Sequence, residues 1–198
     1  MSALALEGGF NAPVLDAQVN FRAVMDALAN PGLVQTIGGS APSNGLAAEL
    51  AAVALTLTDH DTPVWLDPVL ARNDAVIAWL RFQTGAPLTD DPRKAHFALV
   101  SDAAQMPALD SFALGTDEYP DRSTTIVLAL PALTGGTPLT LRGPGIKDTR
   151  TIAPGGLPHD FIAQWAANRL LFPRGVDLLL VAQGQVIGLP RSTRIEEG

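Results

Sequence analysis

Residues 124–130 read Thr-Thr-Ile-Val-Leu-Ala-Leu, a short β-branched and aliphatic run with almost no polar alternation. A strand with one wet face alternates apolar and polar residues with a period of two. A run without alternation needs cover on both faces. A second such run, Asp177 to Ala182 (DLLLVA), follows later. Two strands of this kind demand layers above and below them. The pattern therefore points to an α/β fold: a mixed β-sheet flanked by helices on both sides.

The rest of the chain supplies those helices. Phe21, Val24, Met25 and Leu28 fall at i, i+3, i+4 and i+7, one helical face, and Asn30-Pro31-Gly32 stops it. Ser43 or Asn44 is placed to cap a second helix with the stripe Leu46, Leu50, Val53 and Leu57. Further helices are expected over 74–82 and 160–171. Strands are expected over 33–37, 64–67, 97–100 and 138–141. Gln183-Gly184 should join 177–182 to 186–188 as an antiparallel hairpin at one edge of the sheet. No linker interrupts the pattern, so residues 1–198 read as one domain, with 1–14 as a loosely ordered lead-in.

Composition excludes several chemistries. The 198 residues include no cysteine, which removes disulfides, zinc–thiolate sites, iron–sulfur ligation and thiol nucleophiles. The net charge of -7 argues against nucleic-acid binding, which needs a basic surface. The N-terminus lacks the basic start and apolar stretch of a secretory signal, and the apolar runs are too short to span a bilayer. A cytoplasmic protein without a membrane partner is the expectation.

No complete catalytic set stands out. His60, His96 and His159 show no metal-binding spacing, and Asp59-His60-Asp61 reads more simply as a helix end followed by a turn. The strained G-x-S-x-G turn of a serine hydrolase is missing, and Ser123 reads as a cap on backbone groups at the entrance to the 124–130 strand. There are two lysines, Lys94 and Lys147, so Schiff-base chemistry would have to use one of them. No cofactor is expected.

One stretch leaves two readings open. In Thr140-Leu141-Arg142-Gly143-Pro144-Gly145-Ile146-Lys147, a glycine–proline–glycine knuckle precedes Lys147 and Arg150. Backbone amides at Gly143 and Gly145 could form an anion nest with those cations. A turn between two strands with charged flanks needs fewer assumptions, because Thr149, Arg150 and Thr151 suit an extended segment. Arg191 and Arg194 leave the last apolar strand and could pair with phosphate, with local acids or with a partner. Arg142, Gly143, Gly145, Lys147, Arg150, Arg191 and Arg194 are thus the candidate anion-binding or interface residues.

Six segments, taken in order, resemble the PhnH family of the bacterial carbon–phosphorus lyase system. They are Phe21-Arg22 with Met25 and Asn30-Pro31-Gly32; LTLTDHDTPVW (55–65); GTDEYPDRSTT (115–125); LRGPGI (141–146); NRLLFPRGVDLLLV (168–181); and GLPRSTR (188–194). Gly188 departs from the pattern, which has alanine before Leu-Pro-Arg. The resemblance implies a fold like the large domain of pyridoxal-phosphate-dependent transferases, without the pyridoxal phosphate site. It implies a homodimer in isolation and, in the cell, a core complex with PhnG, PhnI and PhnJ, with PhnJ the most direct contact. The implied role is in making ribose 1-methylphosphonate 5-triphosphate from ATP and methylphosphonate, together with PhnG, PhnI and PhnL. It is that of an assembly-dependent subunit without a complete active site. The alternative is a phosphate-ligand-binding module or transferase that uses the Gly143–Arg150 loop.

Overall fold

The computed structural model describes residues 6–39, 42 and 44–198. In chain order the elements are α1 (Pro13–Ala29), β1 (Gln35–Thr36), α2 (Ala48–Leu57), β2 (Val64–Leu66), α3 (Pro68–Ala71), α4 (Asp74–Thr84), β3 (Phe97–Val100), β4 (Thr125–Ala129), β5 (Leu139–Arg142), β6 (Arg150–Ile152), α5 (Phe161–Leu170), β7 (Asp177–Ala182), β8 (Gln185–Leu189) and β9 (Arg194–Glu197). A six-stranded mixed sheet has the order β1-β8-β7-β4-β3-β2. β2, β3, β4 and β7 are parallel, β8 runs against them, and β1, antiparallel to β8, runs in their direction again.

The two apolar runs form the centre of this sheet, and successive residues serve opposite layers. Ile126, Leu128, Leu178 and Leu180 pack on one side with Phe161 and Trp165 of α5. Val127, Leu179 and Val181 pack on the other with Val24 of α1, Leu50 and Val53 of α2, and Trp79 of α4. Fully burying one such aliphatic side chain contributes about 1.5–3 kcal/mol. That is why these strands carry no polar alternation.

The layer on the α5 side is not helical alone. β5, β6 and β9 form a separate antiparallel sheet in the order β6-β5-β9, and Leu139, Leu141, Ile152 and Ile195 turn their side chains into the same core as α5. Its strands pair Leu139 with Glu197 and Leu141 with Arg150, contacts that local periodicity cannot show.

Several local expectations change. Val24 is fully buried, but Phe21 and Met25 are 50% and 38% exposed; α1 faces the core with Asn20, Ala23, Val24 and Ala27 instead. The β7–β8 hairpin turns at Gln183-Gly184, both at positive φ, but lies one strand in from the edge because β1 pairs outside β8. Asn44 does not cap α2, which opens at Ala48 after an uncapped Ala47. Its carboxamide oxygen accepts from the Leu46 amide. Ser43 lies outside the described residues. Residues 6–12 precede α1, where Gln83 of α4 donates to the Leu6 and Gly8 carbonyls. Among the described residues no helix is long and apolar enough to cross a membrane.

Candidate functional site

All six signature segments meet at one edge of the large sheet, the edge where β2, β3, β4 and β7 begin. Segment 55–65 enters β2, segment 115–125 enters β4 and segment 168–181 enters β7. β8 ends there, with Leu189 opposite Leu178, so residues 190–194 leave from the same edge. The Gly32 amide donates to the Gly188 carbonyl, which brings the end of α1 to this edge too.

Arg191 ties three of these segments together. Its Nε and one Nη bond the two carboxylate oxygens of Asp177, and its backbone amide donates to the same carboxylate at 2.7 Å. The other terminal nitrogen reaches the Pro120 and Pro173 carbonyls, and the remaining N–H meets the Ser123 hydroxyl. A guanidinium has five N–H donors, and here each has an internal acceptor. Ser123 is therefore a partner of Arg191. The neighbouring Thr124 ties the backbone at the strand entrance, accepting from the Ala113 amide and donating to the Ala95 carbonyl. Asn168 closes the node from α5, pairing through its amide oxygen and nitrogen with both backbone groups of Val176.

The glycine–proline–glycine knuckle lies beside this node. Residues 143–149 join β5 to β6 as an antiparallel hairpin. Gly145, at φ +80°, packs on the end of α1, where a β-carbon would run into the Ala29 carbonyl oxygen. Gly143 abuts Ser192 and Thr193. Arg150 donates to the Asn30 and Pro31 carbonyls at 3.0 and 2.6 Å. Lys147 is exposed. Arg142 and Arg194 face each other across β5 and β9, both exposed. No ion pair of Arg142, Lys147 or Arg194 occurs among the described residues. The structure thus divides the candidate cations: Arg150 and Arg191 hold backbone and carboxylate, while Arg142, Lys147 and Arg194 face solvent.

At the opposite edge, where the parallel strands end, lies a cleft of about 680 Å³. Open α/β sheets hold ligands outside the carboxyl ends of their strands. Ser101, Asp102, Pro131, His159, Asp160 and Gln164 line it, and no lysine or arginine does. Its rim is fixed by Asp67, fully buried. One Asp67 oxygen accepts from the Leu70 amide and the other from the Ser101 amide and hydroxyl and the Asp102 amide. Asp59-His60-Asp61 forms a turn, in which the Asp59 carboxylate accepts from the Asp61 amide and the Thr62 hydroxyl. These two bonds, the Thr62 hydroxyl first, hold the Asp59 carboxyl below its ordinary 3.8. No cluster of three metal-ligating side chains occurs among the described residues.

The family profile described as "Bacterial phosphonate metabolism protein (PhnH)" matches residues 8–196. The chain belongs to the PhnH family. A protein of Rhizobium meliloti (strain 1021), named "Alpha-D-ribose 1-methylphosphonate 5-triphosphate synthase subunit PhnH", is 51% identical over 190 residues, covering 96% of this chain and 94% of the relative. The "Putative C-P lyase subunit protein HtxG" of Stutzerimonas stutzeri is 29% identical over 178 residues, covering 90% and 85%. Three of the six segments that carry the resemblance, 115–125, 168–181 and 188–194, are tied together by Arg191. Sequence reasoning missed Asp177, Asn168 and Asp67. Asp177 alone left a trace: it is a charge at the mouth of a fully apolar strand.

Proposed function

We propose that the chain is an assembly-dependent subunit of the carbon–phosphorus lyase core complex in the cytoplasm. It acts there with PhnG, PhnI and PhnL in making ribose 1-methylphosphonate 5-triphosphate. In that reaction a phosphonate oxygen bonds to C1′ of the ATP ribose, the C1′–N bond breaks, and adenine leaves with a proton. PhnJ is its most direct neighbour, and the isolated chain is a homodimer. The observation that carries this reading is the Arg191 node. The family's signature residues give their hydrogen bonds to each other and to backbone, at the edge away from the cleft. They build a rigid face, which is what a subunit interface requires.

The cleft supports the same reading. A triphosphate is normally met by arginine, lysine or a metal, and neither an arginine nor a lysine lines the cleft. A likeness to the large domain of pyridoxal-phosphate-dependent transferases would be one of fold and not of chemistry. Lys94 lies before β3 and Lys147 in the β5–β6 turn, both away from the cleft. The test is co-expression with the PhnG, PhnI and PhnJ subunits, followed by native mass measurement and an assay of adenine release with and without this chain. Full complex mass and full adenine release in its absence would overturn the proposal.

One observation favours a second reading, a phosphate-binding module on the Gly143–Arg150 hairpin. Like charges directly opposite in an antiparallel pair are destabilising, yet Arg142 faces Arg194 without a carboxylate between them. Calorimetry of the isolated chain with ATP or a ribose phosphate separates the two. Saturable binding that is lost in Lys147→Ala supports this second reading.

A further inference from the structure

The cleft beyond the carboxyl ends of β3 and β4 has a rim that the fold holds at a cost. Asp67 is fully buried, and among the described residues it has no ion-pair partner. Burying a carboxyl group is costly unless its oxygens are hydrogen-bonded. Beside the Leu70 amide, the donors that satisfy it are the Ser101 amide and hydroxyl and the Asp102 amide. A core carboxylate thus fixes the loop after β3, which is the kind of support a binding site needs. The cleft, about 680 Å³, falls in the size range of small-molecule sites, about 300–1,000 Å³.

The α5 side of the cleft is fixed as well. Gln164 accepts from the Leu109 amide through Oε1 and donates from Nε2 to Asp160 Oδ2 at 2.8 Å. Asp102 Oδ1 accepts from the Ala104 amide. Each of the two carboxylates lining the cleft therefore has one oxygen engaged locally. The other oxygen, Asp102 Oδ2 or Asp160 Oδ1, receives no hydrogen bond among the described residues. His159 Nδ1 stays 3.9 Å from Asp160 Oδ1, outside hydrogen-bond range, with its side chain 97% exposed. Met106 and Leu157 line the same space, half-buried against the core on the α5 side. The cleft thus offers positioned acceptors and apolar surface, without an arginine or a lysine.

We infer that this cleft holds a free purine base. The N–H donors on the ring edge match the open carboxylate oxygens of Asp102 and Asp160. The ring face matches Met106 and Leu157, and a thioether packs favourably on an aromatic ring. Phosphates do not fit, because they would meet two carboxylates and no arginine or lysine. A metal ion does not fit either: among the described residues no third ligating side chain joins the pair. The choice of base rests on the reading proposed above, in which ATP loses adenine. Within that reaction the site has a defined place. Adenine in ATP has no hydrogen at N9, where the ribose is attached. The free base gains an N9–H donor and is rid of the triphosphate. An acceptor-lined cleft therefore takes the released base in preference to the nucleotide, and the site is one for the departing product.

Two methionines make the test local: Met106 lines the cleft and Met25 lies on α1. Adenine, cytosine and ATP are titrated by calorimetry into the purified full chain as wild type, Asp102→Asn, Asp160→Asn and the control Lys147→Ala, and the methionine methyl shifts are followed by NMR. Adenine is expected to bind saturably and to shift Met106 but not Met25. Cytosine and ATP should bind at least tenfold more weakly. Each asparagine variant should weaken adenine binding at least tenfold. Both should melt like the wild type, because both carboxylates are exposed and asparagine keeps an oxygen for the Ala104 amide or for Gln164. Lys147→Ala should bind adenine like the wild type. The inference is overturned by the absence of saturable adenine binding, by binding that leaves Met106 unshifted, by equal affinity for ATP or cytosine, or by binding indifferent to both asparagine variants. The subunit reading has its own readout, adenine release by the assembled complex. Release that needs a chain unable to bind the base keeps that reading and ends this inference. A complex complete and active without the chain ends that reading, whatever the base does.

Discussion

Gly145 sits against Ala29 with no room for a side chain: a β-carbon at 145 would collide with the Ala29 carbonyl oxygen and lie 2.9 Å from the Pro31 ring. The contact joins the β5–β6 turn to the end of α1, more than a hundred residues earlier. Its φ of +80° belongs to the left-handed region, where a side chain adds about 1–2 kcal/mol. Gly145→Ala should therefore lose about 2–4 kcal/mol of stability, strain and overpacking together, read as a clear drop in melting temperature. Lys147→Ala, two residues on and solvated, should stay within about 0.5 kcal/mol of wild type. Equal melting temperatures for the two variants would contradict this account of the turn.

The Arg191–Asp177 pair is four-fifths or more buried on both sides. Removing one partner of such a pair leaves a charge without compensation, at a cost of about 3–5 kcal/mol. Arg191→Met should approach that loss in urea unfolding. Arg191→Lys should recover little of it, because an ammonium cannot reach Asp177, Ser123, Pro120 and Pro173 at once. In a double-mutant cycle with Asp177→Asn, the coupling should be well above the about 0.2–1 kcal/mol typical of exposed pairs.

Gly188 is where α1 crosses β8. A β-carbon at 188 would lie 2.6 Å from the Ala27 carbonyl carbon and oxygen and 2.7 Å from the Leu28 nitrogen. Gly188→Ala, the residue expected from the family pattern, should cost about 1–3 kcal/mol here by overpacking. Ala27→Gly does not relieve a backbone collision and should not rescue it. Thermal melts of the single and double variants check this.

Asp59 gives the pH dependence a defined sign. Its carboxyl is held below 3.8 in the folded chain by the Thr62 hydroxyl and the Asp61 amide. The stabilisation is present above the unfolded value and disappears as pH falls through the lower folded value. Titration of the Asp59 carboxyl by NMR should show the depressed midpoint, and Thr62→Val should move it back up toward 3.8. A midpoint unmoved in Thr62→Val would show that the hydroxyl is not the main cause.

The α/β layering was legible because β4 and β7 announce double burial in the residues themselves, Ile126-Val127-Leu128 and Leu178-Leu179-Leu180. The Gly143–Pro144–Gly145 turn was legible because proline fixes φ and glycine frees it. The small sheet was not. β9 reads Arg-Ile-Glu-Glu and β6 Arg-Thr-Ile, and each becomes a strand only by pairing with β5. Periodicity finds an apolar face on α1 but cannot say what covers it, and Phe21 and Met25 of that face are exposed. The candidate arginines were legible as a group. Their division into engaged and free members depends on Asp177, fourteen residues before Arg191, and on Asn30, 120 residues before Arg150.

The Arg191 node also sets a condition on synthesis. Its acceptors at Pro120, Ser123, Pro173 and Asp177 all leave the ribosome before Arg191 does. Until residue 191 emerges, the edge that gathers the signature segments has no central clamp, and Asp177 has no counter-charge. A translation product stopped short of that point keeps its apolar strands but cannot complete the face. If assembly uses that face, as proposed, a product stopped short of residue 191 would be left out of the complex without a separate inspector.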